Sequence, residues 1–243
     1  MADLHVEQPS QAPPRLRLQQ LMSGYRITQA IGVAAELGIA DLLSDGPKSS
    51  GELAEATGTH PRALYRVLRA LASVGIFTEV EPDRFALTPM AEALRADAPA
   101  SLLNAALFAS GDANWRAWGQ LLHSVRTGQT AFEHVHGMDV WEYRARHPEA
   151  NTVFNAAMTS YSAQVADAIA GAYDFTGLGT LVDVGGGHGL LLATILSANP
   201  ALRGILFDQP HVVATAAPIL ERSGMADRCR VVGGDFFDSV PSG

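Results

Sequence analysis

The stretch Leu181-Val182-Asp183-Val184-Gly185-Gly186-Gly187-His188-Gly189 constrains this chain more than any other. A short apolar run enters a cluster of glycines, and a helical pattern opens near Leu190. A strand that turns tightly into a helix presents free N–H groups at the helix N-terminus, and glycines in the turn let a ligand approach the main chain. A dinucleotide fingerprint wants glycines at its first, third and sixth positions; here they fall at Gly185, Gly187 and Gly189, with Leu190 in the sixth place. That spacing disfavours a nicotinamide dinucleotide. By itself a glycine-rich loop is weak evidence, and a bare tight turn is the competing reading.

Two downstream segments sharpen it. Thr180 to Val184, Gly204 to Asp208 and Arg230 to Gly233 are apolar, strand-like runs separated by helical stretches. This β-α-β-α-β alternation predicts a parallel sheet covered by helices on both faces, with right-handed crossovers. Asp208 ends the second strand 23 positions after Gly185, where a carboxylate can accept hydrogen bonds from both hydroxyls of a ribose. Asp235 follows the third strand in Gly233-Gly234-Asp235-Phe236-Phe237, where it can meet an adenine amino group while Phe236 flanks the ring. An isolated Asp at a strand end is ordinarily a cap. Three successive strand ends, each offering a group that an adenosine needs, argue for a nucleoside site.

Upstream, the apolar residues follow helical spacing. From Arg15 to Leu43, Leu18, Leu21, Met22, Tyr25, Ile31, Val33 and Leu37 recur with almost no polar face, which predicts a buried helix pair with another subunit as its natural cover. Pro47-Lys48-Ser49-Ser50-Gly51 is a turn signal in which Ser49 or Ser50 caps a short helix at Glu52 to Ala56, ended by Gly58. Pro61 starts the next helix, with Leu64, Val67, Leu68, Leu71 and Val74 on one stripe and Gly75 as its stop. Ile76 to Val80 and Arg84 to Leu87 then read as a hairpin around Glu81-Pro82-Asp83, so the whole predicts a winged helix-turn-helix. Thr88-Pro89 opens further helices as far as about Ala172, among them Trp115 to Val125 and Asn151 to Ala170.

Composition narrows the function classes. The chain has 243 residues, 47% of them hydrophobic, which is more than one average domain. A formal charge of −8 repels polyphosphate and argues against general nucleic-acid binding. Arg62, Arg66 and Arg69 do form a stripe where a DNA-reading helix carries its cations, but residues 44–95 hold six basic and seven acidic side chains, so a solvated or subunit-facing helix is preferred. The longest apolar runs, Ala98 to Ser110 and Gly189 to Ser197, fall short of the roughly 20 residues that span a bilayer, and Met1 to Pro14 lacks the pattern of an export signal. The single cysteine, Cys229, can neither staple the fold nor build a zinc site, which fits a reducing cytoplasm. His134 and His136 with Glu133 have no third ligand placed by spacing, so no metal is expected. Phe108, Trp115, Trp118, Phe132 and Trp141 read as mostly core, with room for some of them to line an aromatic acceptor pocket if a family resemblance supports one.

Through Asp183-Val184-Gly185-Gly186-Gly187-His188-Gly189, Phe207-Asp208-Gln209-Pro210-His211-Val212 and Gly233-Gly234-Asp235-Phe236-Phe237, the sequence resembles the plant-type and bacterial antibiotic-type O-methyltransferases. The resemblance extends upstream to Phe154-Asn155-Ala156-Ala157-Met158 and to the winged-helix region. It implies S-adenosyl-L-methionine as cofactor, with Asp183, Gly185 and Gly187 among its binding residues, Gly185 on its methionine part, Asp208 at the ribose, Asp235 and Phe236 at the adenine, and Ser162 at the amino-acid end. Met158 would face a small aromatic or polyketide-like hydroxyl acceptor. The implied organisation is a loose tail over residues 1–14, a winged-helix dimerisation domain over 15–97, a helical linker and acceptor-pocket region over 98–172, and over 173–243 the first half of a Rossmann-like class I methyltransferase domain. A homodimer through the N-terminal helices follows.

The family's catalytic base is a histidine in a His-Asp-Trp-Asp-like stretch after the fourth strand, and no residue of this sequence matches it. The expectation is therefore that these 243 residues lack the catalytic portion, leave strand 1 as an open sheet edge and are inactive alone. The alternative is a winged-helix ligand- or DNA-binding regulator, or a degenerate methyltransferase partner, without chemistry.

Overall fold

The computed structural model describes residues 13–242. The loose tail expected over residues 1–14 lies almost wholly outside them. The described residues divide into two compact units, one ending at Ala91 and one beginning at Glu92.

In the first unit, α1 (Pro14–Glu36) and α2 (Ile39–Leu42) are the expected helix pair, broken at Gly38 in the left-handed region with φ of 61°. Burial of α1 is confined to Gly32, Ala34 and Ala35. Leu18 is 58%, Leu21 68% and Met22 63% exposed, so this unit by itself does not cover the apolar surface that the sequence advertises.

The winged motif follows as β1 (Lys48–Ser49), α3 (Ser50–Thr57), α4 (Pro61–Ala72), β2 (Phe77–Glu81) and β3 (Arg84–Leu87), and α5 (Pro89–Glu92) leads on. Ser49 is the cap: its Oγ accepts from the Glu52 N–H, and the Glu52 carboxylate accepts from the Ser49 N–H. Leu64, Leu68 and Leu71 are buried along α4. On its outer side Arg69 meets Glu79 at 3.5 Å. The sheet is antiparallel in the order β1-β3-β2, so the hairpin gains a third strand where the sequence predicts a turn. Two residues carry no periodicity; their strand character exists only through pairing with Phe85 and Arg84.

The second unit opens with α6 (Leu103–Ser110), α7 (Asp112–Trp118), α8 (Leu121–Thr127), α9 (Ala131–His136), α10 (Val140–Arg146) and the long α11 (Pro148–Ala172). The single helix expected over Trp115 to Val125 is instead two, because the chain leaves helical geometry at Gln120 (φ −109°, ψ 19°) just after Gly119. Then β4 (Thr180–Val184), α12 (Leu190–Ala198), β5 (Arg203–Asp208), α13 (Pro210–Val213), α14 (Ala217–Arg222) and β6 (Cys229–Gly233) complete the described chain. The strands pair in parallel in the order β4-β5-β6. Gly204 to Phe207 of β5 are buried without alternation, the mark of a central strand covered on both faces. Leu206 packs with Leu192, Leu196 and Leu220, whereas a Cβ on Gly204 would lie 2.9 Å from Leu196 Cδ1. That glycine lets α12 seat closely on the sheet. β4 is an edge strand, and its residues are only partly buried. Among the described residues no helix is long and apolar enough to cross a membrane.

Candidate active site

Parallel strands in register bring their carboxyl ends to one edge, and that is where the glycine loop, Asp208 and Asp235 meet. The loop is tied to the middle strand: the N–H groups of Gly185 and Gly186 both donate to the Phe207 carbonyl, at 2.8 and 3.3 Å. Gly185 and Gly187 have φ of 73° and 58°, in a region that disfavours side chains. Gly186 is required for a different reason. A Cβ there would lie 2.4 Å from Leu206 Cδ1 and 2.7 Å from the Asp183 carboxyl carbon.

Asp208 braces this loop. One carboxylate oxygen accepts the Gly187 N–H at 2.8 Å and the other accepts the N–H of Gln209 at 2.7 Å. A carboxylate has about four acceptor positions, so about two remain for other donors. On the third strand end, the Gly234 N–H donates to the Asp208 carbonyl at 3.0 Å, and a Cβ on Gly234 would strike the Phe207 ring at 2.6 Å. Asp235 accepts the Phe237 N–H at 2.9 Å, and the rings of Phe236 and Phe237 lie 4.5 Å apart, both exposed.

The facing wall comes from α11, on which Asn155, Met158, Thr159 and Ser162 share one helical face. Together with residues of α10 these elements enclose a cavity of about 700 Å³. Of the residues singled out from the sequence, Gly185, Gly187, Asp208, Asp235, Phe236, Ser162 and Met158 line it. Asp183 does not. It lies beneath Gly186 with Oδ2 buried and unpartnered, and burial together with the nearby Asp208 raises its carboxyl above the usual range.

Further residues line the cavity beside those singled out as sites. His188 is held by α11: Thr159 Oγ1 lies 2.9 Å from the Asn155 carbonyl, to which it donates, and 2.9 Å from His188 Nδ1, with which it shares a hydrogen bond. Burial lowers the His188 pKa, against a smaller opposing pull from Asp208. Trp141, one of the aromatics read as core or as pocket lining, lines the cavity and is 55% exposed, and Arg144 and Phe154 join it there. Trp118 is also no core residue, being 71% exposed. His134 stacks on His123 at 3.9 Å, whereas the His136 ring contacts Phe132 and Tyr143, so the two histidines serve separate packing roles.

An O-methyltransferase domain model matches residues 118–243, and an O-methyltransferase dimerisation domain model matches residues 19–97. The chain belongs to the O-methyltransferase family. It is 50% identical over 225 residues to the phenazine O-methyltransferase PhzM of Lysobacter antibioticus, a match that covers 93% of this chain and 66% of that protein. The crystal structure of LaPhzM superposes with a TM-score of 0.92 at 48% identity, over 96% of this chain and 70% of that one. The O-methyltransferase NcsB1 from neocarzinostatin biosynthesis, solved with S-adenosylmethionine and 2-hydroxy-5-methyl naphthoic acid, is 35% identical with a TM-score of 0.74, over 89% of this chain and 67% of that one. The chain thus spans about two thirds of the length of the curated relatives it matches.

Proposed function

We propose that this chain forms the S-adenosylmethionine-binding part and one wall of the acceptor pocket of an O-methyltransferase acting on a small aromatic hydroxyl compound in secondary metabolism. The observation that carries this reading is Asp208, whose carboxylate spends about two of its acceptor positions on loop N–H groups and keeps the rest toward the cavity. A ribose offers two adjacent hydroxyl donors. Asp235 and Phe236 at the next strand end suit an adenine amino group and ring, and the open space over Gly185 and Gly187 suits the chain that links ribose to amino acid. The residues present therefore fit the cofactor, which when bound supplies a methyl group on a positively charged sulfur. In this reading Ser162 meets the cofactor's amino-acid end, while Asp183 acts from below by filling the space under Gly186. Met158 presents an apolar, adaptable surface to the acceptor. Calorimetric titration with S-adenosylhomocysteine tests the proposal; absence of saturable binding would overturn it.

The exposed Leu18, Leu21 and Met22 of α1 support a homodimer built through the N-terminal helices. Light scattering should return twice the chain mass at micromolar concentration, and a clean monomer would refute it.

A second reading, ligand binding without chemistry, has one observation in its favour. Among the described residues lining the cavity, His188 is hydrogen-bonded to a threonine, and no histidine is oriented by a carboxylate as a general base would be. Radiolabelled methyl transfer over a panel of phenols tests it, and robust turnover would exclude this reading.

A further inference from the structure

Arg144 is the one lysine or arginine among the described residues that line the cavity. Its guanidinium carbon lies 3.2 Å from the ring centroid of Phe154 and 4.9 Å from that of Trp141. These two rings meet edge to face at 6.1 Å, so the cation sits against an aromatic corner where α10 faces α11. The neighbouring acids are engaged elsewhere. Asp139 caps α10 by accepting the Trp141 and Glu142 N–H groups, and Glu142 pairs with Arg146 at 2.5 Å. Arg144 makes no ion pair among the described residues, and burial lowers its pKa to about 10, which leaves it charged at neutral pH.

A partly buried cation without a counter-charge is costly, and ring faces repay only part of that cost. What remains is a planar fork of donors in a cavity that is also lined, on the strand ends, by the carboxylates of Asp208 and Asp235. Such polarity steers an anionic group on a ligand away from the strand ends and toward α10. We propose that Arg144 recognises a carboxylate of the bound ligand, paired to the guanidinium beside Trp141 and Phe154. The shared chemistry has two sources within the proposed function, on which the inference rests: the amino-acid carboxylate of the cofactor, or a carboxylate borne by an aromatic acceptor.

Calorimetry on the 243-residue chain and on R144Q, with R144K as a charge-retaining control, separates them. One probe pair is S-adenosylhomocysteine and 5′-methylthioadenosine, which lacks the amino-acid carboxylate; the other is 4-hydroxybenzoate and 4-hydroxybenzamide. R144Q should weaken the carboxylate member of one pair by about tenfold or more, with R144K intermediate, while leaving the carboxylate-free member within about twofold. An effect in the first pair assigns the carboxylate to the cofactor, and in the second to the acceptor. Equal losses within both pairs, losses in neither, or a wild-type chain that prefers the carboxylate member of neither pair would overturn the inference. If wild type binds neither adenosine probe, the methyltransferase reading fails by itself, and the hydroxybenzoate pair still judges Arg144.

Discussion

Replacing Asp208 by asparagine probes the coupling of cofactor recognition to loop geometry. The two shapes are nearly the same, but an amide nitrogen donates where a carboxylate oxygen accepts. In the native chain one oxygen receives the Gly187 N–H at 2.8 Å and the other the Gln209 N–H at 2.7 Å. Whichever way the substituted amide is turned, its NH₂ faces one of these donors, so one backbone N–H loses its acceptor and the remaining bond loses its charge. A hydrogen bond to a charged group is worth about 1.5–3 kcal/mol. If the ligand's hydroxyls use the other lone pairs, D208N should weaken S-adenosylhomocysteine binding by about that amount, or roughly 10- to 150-fold. D208A removes both braces and should do at least as much. Calorimetric titration of wild type and both variants, with circular dichroism to confirm folding, is the assay. An affinity unchanged within about twofold in D208A would remove Asp208 from the site and refute the reasoning.

Further expectations follow from single contacts. G186A should destabilise the second unit by about 1–3 kcal/mol in urea melts, because its Cβ would collide with the fully buried Leu206; a smaller loss than in G187A, which has open space and only an unfavourable φ, would contradict the close-approach argument. His188 has a folded pKa below its unfolded value of about 6.5, so its contribution to stability is present above that pH and is lost as pH falls through the depressed value. Wild type should therefore lose more stability than H188Q between about pH 7 and 5, and parallel pH profiles would remove His188 from that role. The Arg228 guanidinium donates to the carbonyls of Leu196, Asn199, Pro200 and Leu202 at 2.7 to 3.2 Å and closes the C-terminal end of α12. R228A should cost about 1.5–3 kcal/mol by chemical denaturation, and a loss under about 0.5 kcal/mol would show that water replaces it.

Sequence by itself determined whatever depends on neighbours a few residues away. The strand-glycine-helix turn at Val184 to Leu190 is legible because side-chain alternation and the need for positive φ act over single residues. Ser49 with Glu52, and Gly58 in the left-handed region at the end of α3, are local for the same reason. Asp208 and Asp235 could be placed because parallel pairing sends successive strand ends to one edge, whatever their separation along the chain. Tertiary structure decided the rest. Lys48-Ser49 is a strand only through Phe85 and Arg84, and Arg228 is a helix cap only because α12 ends beside it, 29 residues away from Asn199. The same holds across the cavity. Nothing in the spacing of Thr159 and His188 foretells their hydrogen bond, and nothing near Arg144 announces that Phe154 will lie against it while Asp139 caps α10 and Glu142 pairs with Arg146. Propensity and periodicity report on the chain's own turn or strand, whereas burial, pairing and charge compensation depend on which elements the fold brings together.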